Sequence, residues 1–133
     1  MKILITGGTG FLGRHLSRFL QNQSQKHELT ELNSRNCDLT RSDTLSKYSK
    51  IKFDRIFHLA TWTQAGDFCL KHPAEQWEMN QLIHSHLLAW WNRHQPSAKL
   101  ITLGSSCGYP TDKELTESNF LKGSPYPPST PME

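Results

Sequence analysis

Apolar residues in the first twenty positions change their spacing halfway along, and the change predicts a strand, a tight turn and a helix in that order. Lys2 to Thr6 (KILIT) is a short apolar run, Gly7, Gly8 and Gly10 break it, and Leu12, Leu16, Phe19 and Leu20 then recur at helical spacing. Glu28 to Leu32 alternates weakly and reads as a second strand, followed by a polar loop, NSRNCDLT. Residues 41 to 50 suit a short helix capped by Ser42 or Asp43, with Leu45 and Tyr48 turned inward. Arg55 to Ala60, behind Asp54, is the compact apolar run expected of a strand buried on both faces. From Pro73 to Arg93 no further Gly or Pro occurs, which predicts one helix of about six turns. That helix carries two apolar stripes, Met79, Ile83, Leu87, Trp90 and Trp77, His84, Leu88, Trp91. One stripe must lie on the sheet. The other either meets a partner subunit or the rest of a larger fold, or Trp91 simply covers a neighbouring loop. Lys99 to Leu103 is the next strand, and prolines cluster after Tyr109, so 110–133 reads as a loop-like tail. Strands alternating with helices predict an α/β fold with a parallel sheet and right-handed crossovers.

Composition narrows the partners. A chain of 133 residues fits one domain, and 15 Lys plus Arg against 12 Asp plus Glu leave a net charge of only +3, with the basic residues scattered. Nucleic acid is therefore not expected as a partner. No stretch approaches the roughly 20 apolar residues of a membrane span, which predicts a soluble chain with no membrane contact. Cys37, Cys69 and Cys107 are odd in number, far apart and without CxxC spacing, so a reducing cytoplasm is expected and a zinc site is not. His84 and His86 are two apart, which on a helix points their rings about 200° apart. No metal site is expected.

The chemistry is concentrated in the glycine turn. Gly7, Gly10 and Gly13 form GxxGxxG between a strand and a helix. Glycine at the first two positions lets backbone press against a diphosphate whose charge meets the free amides of the helix start, and Gly13 lets the helix sit close to the sheet.

TGGTGFLG at this place resembles the nucleotide-binding turn of the extended short-chain dehydrogenase/reductases, the NAD(P)-dependent nucleotide-sugar epimerases, dehydratases and reductases. Other segments follow in that family's order. Cys37-Asp38-Leu39 is similar to the pair that contacts adenine, Phe57-His58-Leu59-Ala60-Thr61 to the strand end that lines the cofactor, and Asn80 to the helix asparagine that follows. Leu103 to Pro110 (LGSSCGYP) resembles a segment of the GDP-fucose synthases among them. The resemblance covers essentially the whole chain, as the N-terminal portion of a protein more than twice as long. It implies a Rossmann-type fold, incomplete relative to the full family fold. It also implies cofactor contacts at Gly7, Gly10, Phe11, Leu12, Gly13, Asp38, Leu39, Leu59, Ala60, Thr61 and Asn80. A nucleotide sugar is the substrate of full-length members, and a homodimer through helix 74–93 is the implied assembly.

The end of the second strand reads Leu32-Asn33-Ser34-Arg35. Neutral donors and an Arg suit a 2′-phosphate and favour NADP, with NAD as the alternative should Glu31 reach the ribose instead. Arg35 is the candidate phosphate partner, and Arg14 a second. The family works with a Ser or Thr, a Tyr and a Lys. Ser105 matches the catalytic serine, and Cys107 matches the cysteine that GDP-fucose synthases use as acid/base, against the reading of a small packed thiol. The Tyr-x-x-x-Lys pair is not in place. Tyr109 and Lys113 have the spacing, but Pro110 opposes a continuing helix, and Tyr126 has Thr130 four residues on. The expected activity is therefore that of a cofactor-binding portion that does not turn over alone. A stand-alone NADP-binding pseudoenzyme, half of a split enzyme, or a gene remnant are the alternatives.

Overall fold

The computed structural model describes residues 1–64, 67–105, 108–110, 112–120 and 122–123, without the side chains of Cys69 and Leu70. The described chain runs β1 (Lys2–Thr6), α1 (Phe11–Gln21), β2 (Glu28–Leu32), β3 (Arg55–His58), α2 (Phe68–Lys71), α3 (Pro73–His94) and β4 (Lys99–Thr102), with single 3-10 turns at Ser46–Tyr48 and Glu117–Asn119. The strands form one parallel sheet in the order β2-β1-β3-β4. Registers Thr6↔Leu32, Thr6↔His58 and His58↔Thr102 bring all four carboxyl ends level. The chain leaves β1 to one side for β2 and returns to the other for β3, so the order reverses between β1 and β3. Crevices in open α/β sheets form at such a reversal. This is the Rossmann-type architecture expected.

Alternation along β1 sorts the core into two layers. Ile3 and Ile5 pack with Leu20 of α1, flanked by Leu16, Leu29, Phe57 and Leu59. Leu4, Leu32 and Ile56 face the opposite layer, built from Leu39, Leu45, Phe53 and the α3 residues Ile83, Leu87 and Trp90.

Two local expectations need correction, and the inward side of α1 is not fixed by its spacing. In α1 the inward side is Gly13, Ser17 and Leu20, whereas Leu12 and Phe19 are 44% and 61% exposed. A Cβ on Gly13 would overlap the Gly7 carbonyl oxygen, so the helix meets the turn on glycine, while Leu12 and Phe19 face out. Residues 41–50 are not an α-helix. Their bonds span three residues (Ser46 N–H to the Asp43 carbonyl, 3.1 Å; Tyr48 N–H to Leu45, 3.0 Å), and Asp43 pairs with Arg41 at 3.2 Å rather than capping. Leu45 is fully buried and Tyr48 packs beside it, as the spacing implied. β3 ends at His58 instead of Ala60, because the amides of Leu59 and Ala60 turn to the Thr6 hydroxyl.

The second stripe of α3 is not one continuous face. Trp77 and Leu88 are exposed, while Trp91 covers the loop before β4 and donates its indole N–H to the Ala98 carbonyl at 3.0 Å. Side-chain amides hold α3 at two points, one in its first half and one at its C-terminal cap. Asn80 accepts from Trp62 N–H (2.9 Å) and donates to the Trp62 and Gln76 carbonyls (2.8 and 2.9 Å). Buried Gln95 donates to the Ile51 carbonyl (2.6 Å) and accepts from Phe53 N–H (3.2 Å).

Candidate functional site: the cavity at the glycine turn

Leaving β1, Gly7 takes φ +67, a left-handed conformation in which a side chain is strained. A Cβ there would also stand 3.0 Å from the Leu59–Ala60 backbone. The turn is closed by Gly10 N–H to the Gly7 carbonyl (2.9 Å) and tied to β2 by Gly8 N–H to the Leu32 carbonyl (2.8 Å). Arg14 N–H to the Gly10 carbonyl (3.1 Å) is the bond that opens α1. The amides of Phe11, Leu12 and Gly13 precede it and have no acceptor within the helix. No side chain caps this end and no acidic residue occupies the first turn. The positive end of the helix dipole is thus left for an external anion.

The turn opens into a cavity of about 580 Å³ at the sheet's reversal point. Gly7, Gly10, Phe11, Leu12 and Gly13 form one wall, Asp38 and Leu39 a second, and Leu59, Ala60 and Thr61 a third. Two of the expected cofactor residues do not line it. Arg35 lies outside the wall, and Asn80 stands behind it, acting on it through the Trp62 backbone. Arg14 is likewise outside, and neither arginine forms an ion pair among the described residues. Sequence reasoning missed Thr9, Cys37, Thr40, Trp62 and Thr63 as wall residues. Of these, only Thr9 and Cys37 sit inside motifs already singled out.

At the end of β2 the wall is Leu32, Asn33 and Ser34. The Asn33 carboxamide oxygen accepts from Arg35 and Asn36 N–H (2.9 and 3.1 Å), which folds the loop. Glu31 is not part of this wall, although its Cβ lies beside the turn, 2.9 Å from where a Cβ on Gly8 would stand. Asp38 spends one carboxylate oxygen on Thr40, accepting from its N–H (3.0 Å) and hydroxyl (2.7 Å). His86 Nδ1 donates to the Leu39 carbonyl at 2.9 Å, fastening this wall to α3. Burial pushes the Cys37 thiol up, partly offset by its bond to the Thr44 hydroxyl.

Below the third wall, Thr6 Oγ1 accepts from Leu59 and Ala60 N–H, each at 3.1 Å, and lies 2.8 Å from His58 Nδ1. His58 Nε2 lies 2.8 Å from His84 Nδ1. Burial, with the neighbouring His84 adding to it, holds His58 down at about 4. Among the described residues no group of three His, Cys, Asp or Glu could hold a metal.

Ser105 lies past the end of β4, beside a second hollow lined by Gly104, Tyr109, Glu117 and Phe120. Cys107 lies outside the described residues. Tyr109 rests against the Phe120 ring, and Lys113 Nζ donates to the Lys122 carbonyl at 2.8 Å. Neither residue is helical, so their spacing does not make one helical turn.

The chain matches the NAD dependent epimerase/dehydratase family over residues 3–132. It is 27% identical over 130 residues to the probable GDP-L-fucose synthase of Drosophila melanogaster, covering 95% of this chain and 40% of that protein. It is 30% identical over 126 residues to the GDP-L-colitose synthase of Yersinia pseudotuberculosis, covering 92% and 40%. Among solved structures, a GDP-L-fucose synthetase from Naegleria fowleri bound to NADP superposes with a TM-score of 0.74 at 24% identity, over 94% of this chain and 37% of that one. The GDP-mannoheptose C4 reductase of Campylobacter jejuni with NADP bound gives 0.75 at 22%, over 93% and 37%. These likenesses in structure are of fold. The chain spans about 40% of the length of the curated relatives it matches. With the family matched across nearly its whole length and the parallel sheet bearing the glycine turn where that family's order places it, this chain belongs to the NAD dependent epimerase/dehydratase family.

Proposed function

We propose that this chain is the NADP-binding portion of a nucleotide-sugar epimerase or reductase of the GDP-fucose synthase kind. The observation that carries the reading is the side-chain-free cradle at Gly7, Gly10 and Gly13. A Cβ at Gly13 would overlap the Gly7 carbonyl, so glycine there lets α1 begin hard against the turn, and the three residues whose amides are free at the helix start all line one cavity. A diphosphate fits such a cradle. Phe11, Leu12 and Gly13 would hold the diphosphate through their amides, Asp38 and Leu39 would flank the adenine, and Leu59, Ala60 and Thr61 would support the rest of the dinucleotide. When bound, the cofactor supplies hydride transfer. Asn33 and Ser34 in the wall, with Glu31 outside it, support NADP over NAD. Arg35 is close enough in sequence to close over a 2′-phosphate from the rim.

Ser105 is assigned to hydrogen-bond the reacting oxygen of a sugar substrate, and Cys107 to move a proton there. Among the described residues no Tyr and Lys stand one helical turn apart to match the family's acid/base pair. The 133 residues therefore bind cofactor without turnover by themselves, since general acid–base catalysis contributes about 10²–10⁴-fold. A reducing, cytoplasmic setting suits the buried Cys37 thiol. A homodimer through 74–93 would use the exposed Trp77 and Leu88.

Calorimetric titration of the chain with NADPH and NADH tests the reading. We expect saturable 1:1 binding, with NADPH tighter by about tenfold, the equivalent of one added charge-assisted contact. A folded sample that binds neither nucleotide overturns it, and tighter NADH binding overturns the choice of NADP.

A further inference from the structure

We propose that Thr6, His58 and His84 form a one-way hydrogen-bond relay that sets the position of the Leu59–Ala60 wall, which makes His84 of α3 a positioning residue for the dinucleotide. The inference rests on the function proposed above. His84 lines no part of the cavity, so it acts only through its neighbours.

The direction of the relay follows from its fixed end. Backbone N–H groups can only donate, and those of Leu59 and Ala60 both donate to Thr6 Oγ1 at 3.1 Å. A hydroxyl has two acceptor lone pairs and one proton. With both lone pairs engaged, the Thr6 proton goes to its remaining neighbour, His58 Nδ1, at 2.8 Å. His58 Nδ1 is then bare and its ring proton sits on Nε2, which donates to His84 Nδ1 at 2.8 Å. His84 in turn carries its proton on Nε2. The two rings meet edge to face at 87°, and Thr6 and His58 are 0% and 5% exposed, so water does not compete for these groups. The tautomer of both rings is thereby assigned by the network.

The relay ends where position matters. Ala60 Cα and N and the Leu59 carbonyl carbon stand 3.0 Å from where a Gly7 Cβ would be, so the Leu59–Ala60 backbone is already in close contact with the glycine turn. A shift of a few tenths of an ångström in that segment changes the gap between two cavity walls. Without an acceptor at position 84, the His58 Nε2–H is a buried donor without a partner, and the ring has reason to move and take Thr6 and its two amides with it.

The test uses the full chain, ring-nitrogen NMR and NADPH titration of His84→Leu and His84→Gln. Gln can return an acceptor oxygen where Leu cannot. We expect the parent to show a protonated Nε2 and a bare Nδ1 at His58 and His84. His84→Leu should weaken NADPH about tenfold with the fold intact by circular dichroism, and His84→Gln should stay within about threefold of the parent. A His58 proton on Nδ1, a Leu variant that binds like the parent, or a Gln variant as weak as Leu overturns the relay. If the Leu variant does not fold, the Gln variant and the parent spectra decide. If the parent binds no NADPH, the functional reading fails by itself. The relay then stands or falls on the ring tautomers and on whether the Leu59 and Ala60 amide resonances shift in His84→Leu.

Discussion

Asn33 does two things with one side chain: its oxygen folds the loop after β2, and its surface forms part of the cavity wall. Aspartate keeps an oxygen for both amide bonds, so Asn33→Asp adds a negative charge at that wall while preserving the turn. We expect NADPH affinity to fall by about tenfold or more through repulsion of the 2′-phosphate, with NADH unchanged or improved, as read by parallel titrations. Equal losses for both nucleotides would place Asn33 away from the ribose. At this scale the sequence was legible where spacing carries meaning. The three glycines and the Asp38-Leu39 pair are recognisable because their distances along the chain are local. Thr6, His58 and His84 are not. Their contacts join residues 52 and 26 positions apart, and a threonine at the end of a strand looks the same whether or not its hydroxyl is occupied. Asn80 was found by its motif, but its action on the Trp62 backbone was not visible there.

Among the elements, α1 shows what periodicity misses. The helical spacing of Leu12, Leu16, Phe19 and Leu20 located the helix but not its inward side, which is Gly13, Ser17 and Leu20, with Gly13 against the turn. Close approach selects small residues, and a hydrophobic pattern does not register them. Gly13→Ala is expected to push α1 off the glycine turn, costing about 1–3 kcal/mol in urea unfolding and abolishing measurable NADPH binding. An alanine variant with parent stability would show that the helix has room that the contact with Gly7 denies. The segment 41–50 was legible in its buried side chains and not in its backbone. Leu45 and Tyr48 at a spacing of three satisfy an α-helix and a succession of 3-10 turns equally well, and the Asp43–Arg41 pair removes the expected cap. The parallel sheet and long α3 were legible because the pattern there repeats over many residues.

For the molecule as a whole, the neutral His58 ties stability to pH. Its ordinary value of 6.5 applies to the unfolded chain, and the folded value is about 4. Between them the unfolded state binds a proton that the folded state refuses, so this contribution is complete above pH 6.5 and is lost as pH falls toward 4. Urea unfolding at pH 7.5 and pH 5 should differ by about 2 kcal/mol from this group, and His58→Asn should remove that difference. An unchanged slope in the variant would assign the acid sensitivity to other groups.

The amides of Asn80 and Gln95 carry a last consequence. They grip α3 at points fifteen residues apart, about 22 Å along its axis, one at the mouth of the sheet and one at its base. A rod pinned twice can neither slide nor screw. Since the same rod also fastens the wall at Leu39 and the His58 ring beneath the wall at Leu59, the crevice keeps its shape before any guest arrives, and little ordering remains to oppose association.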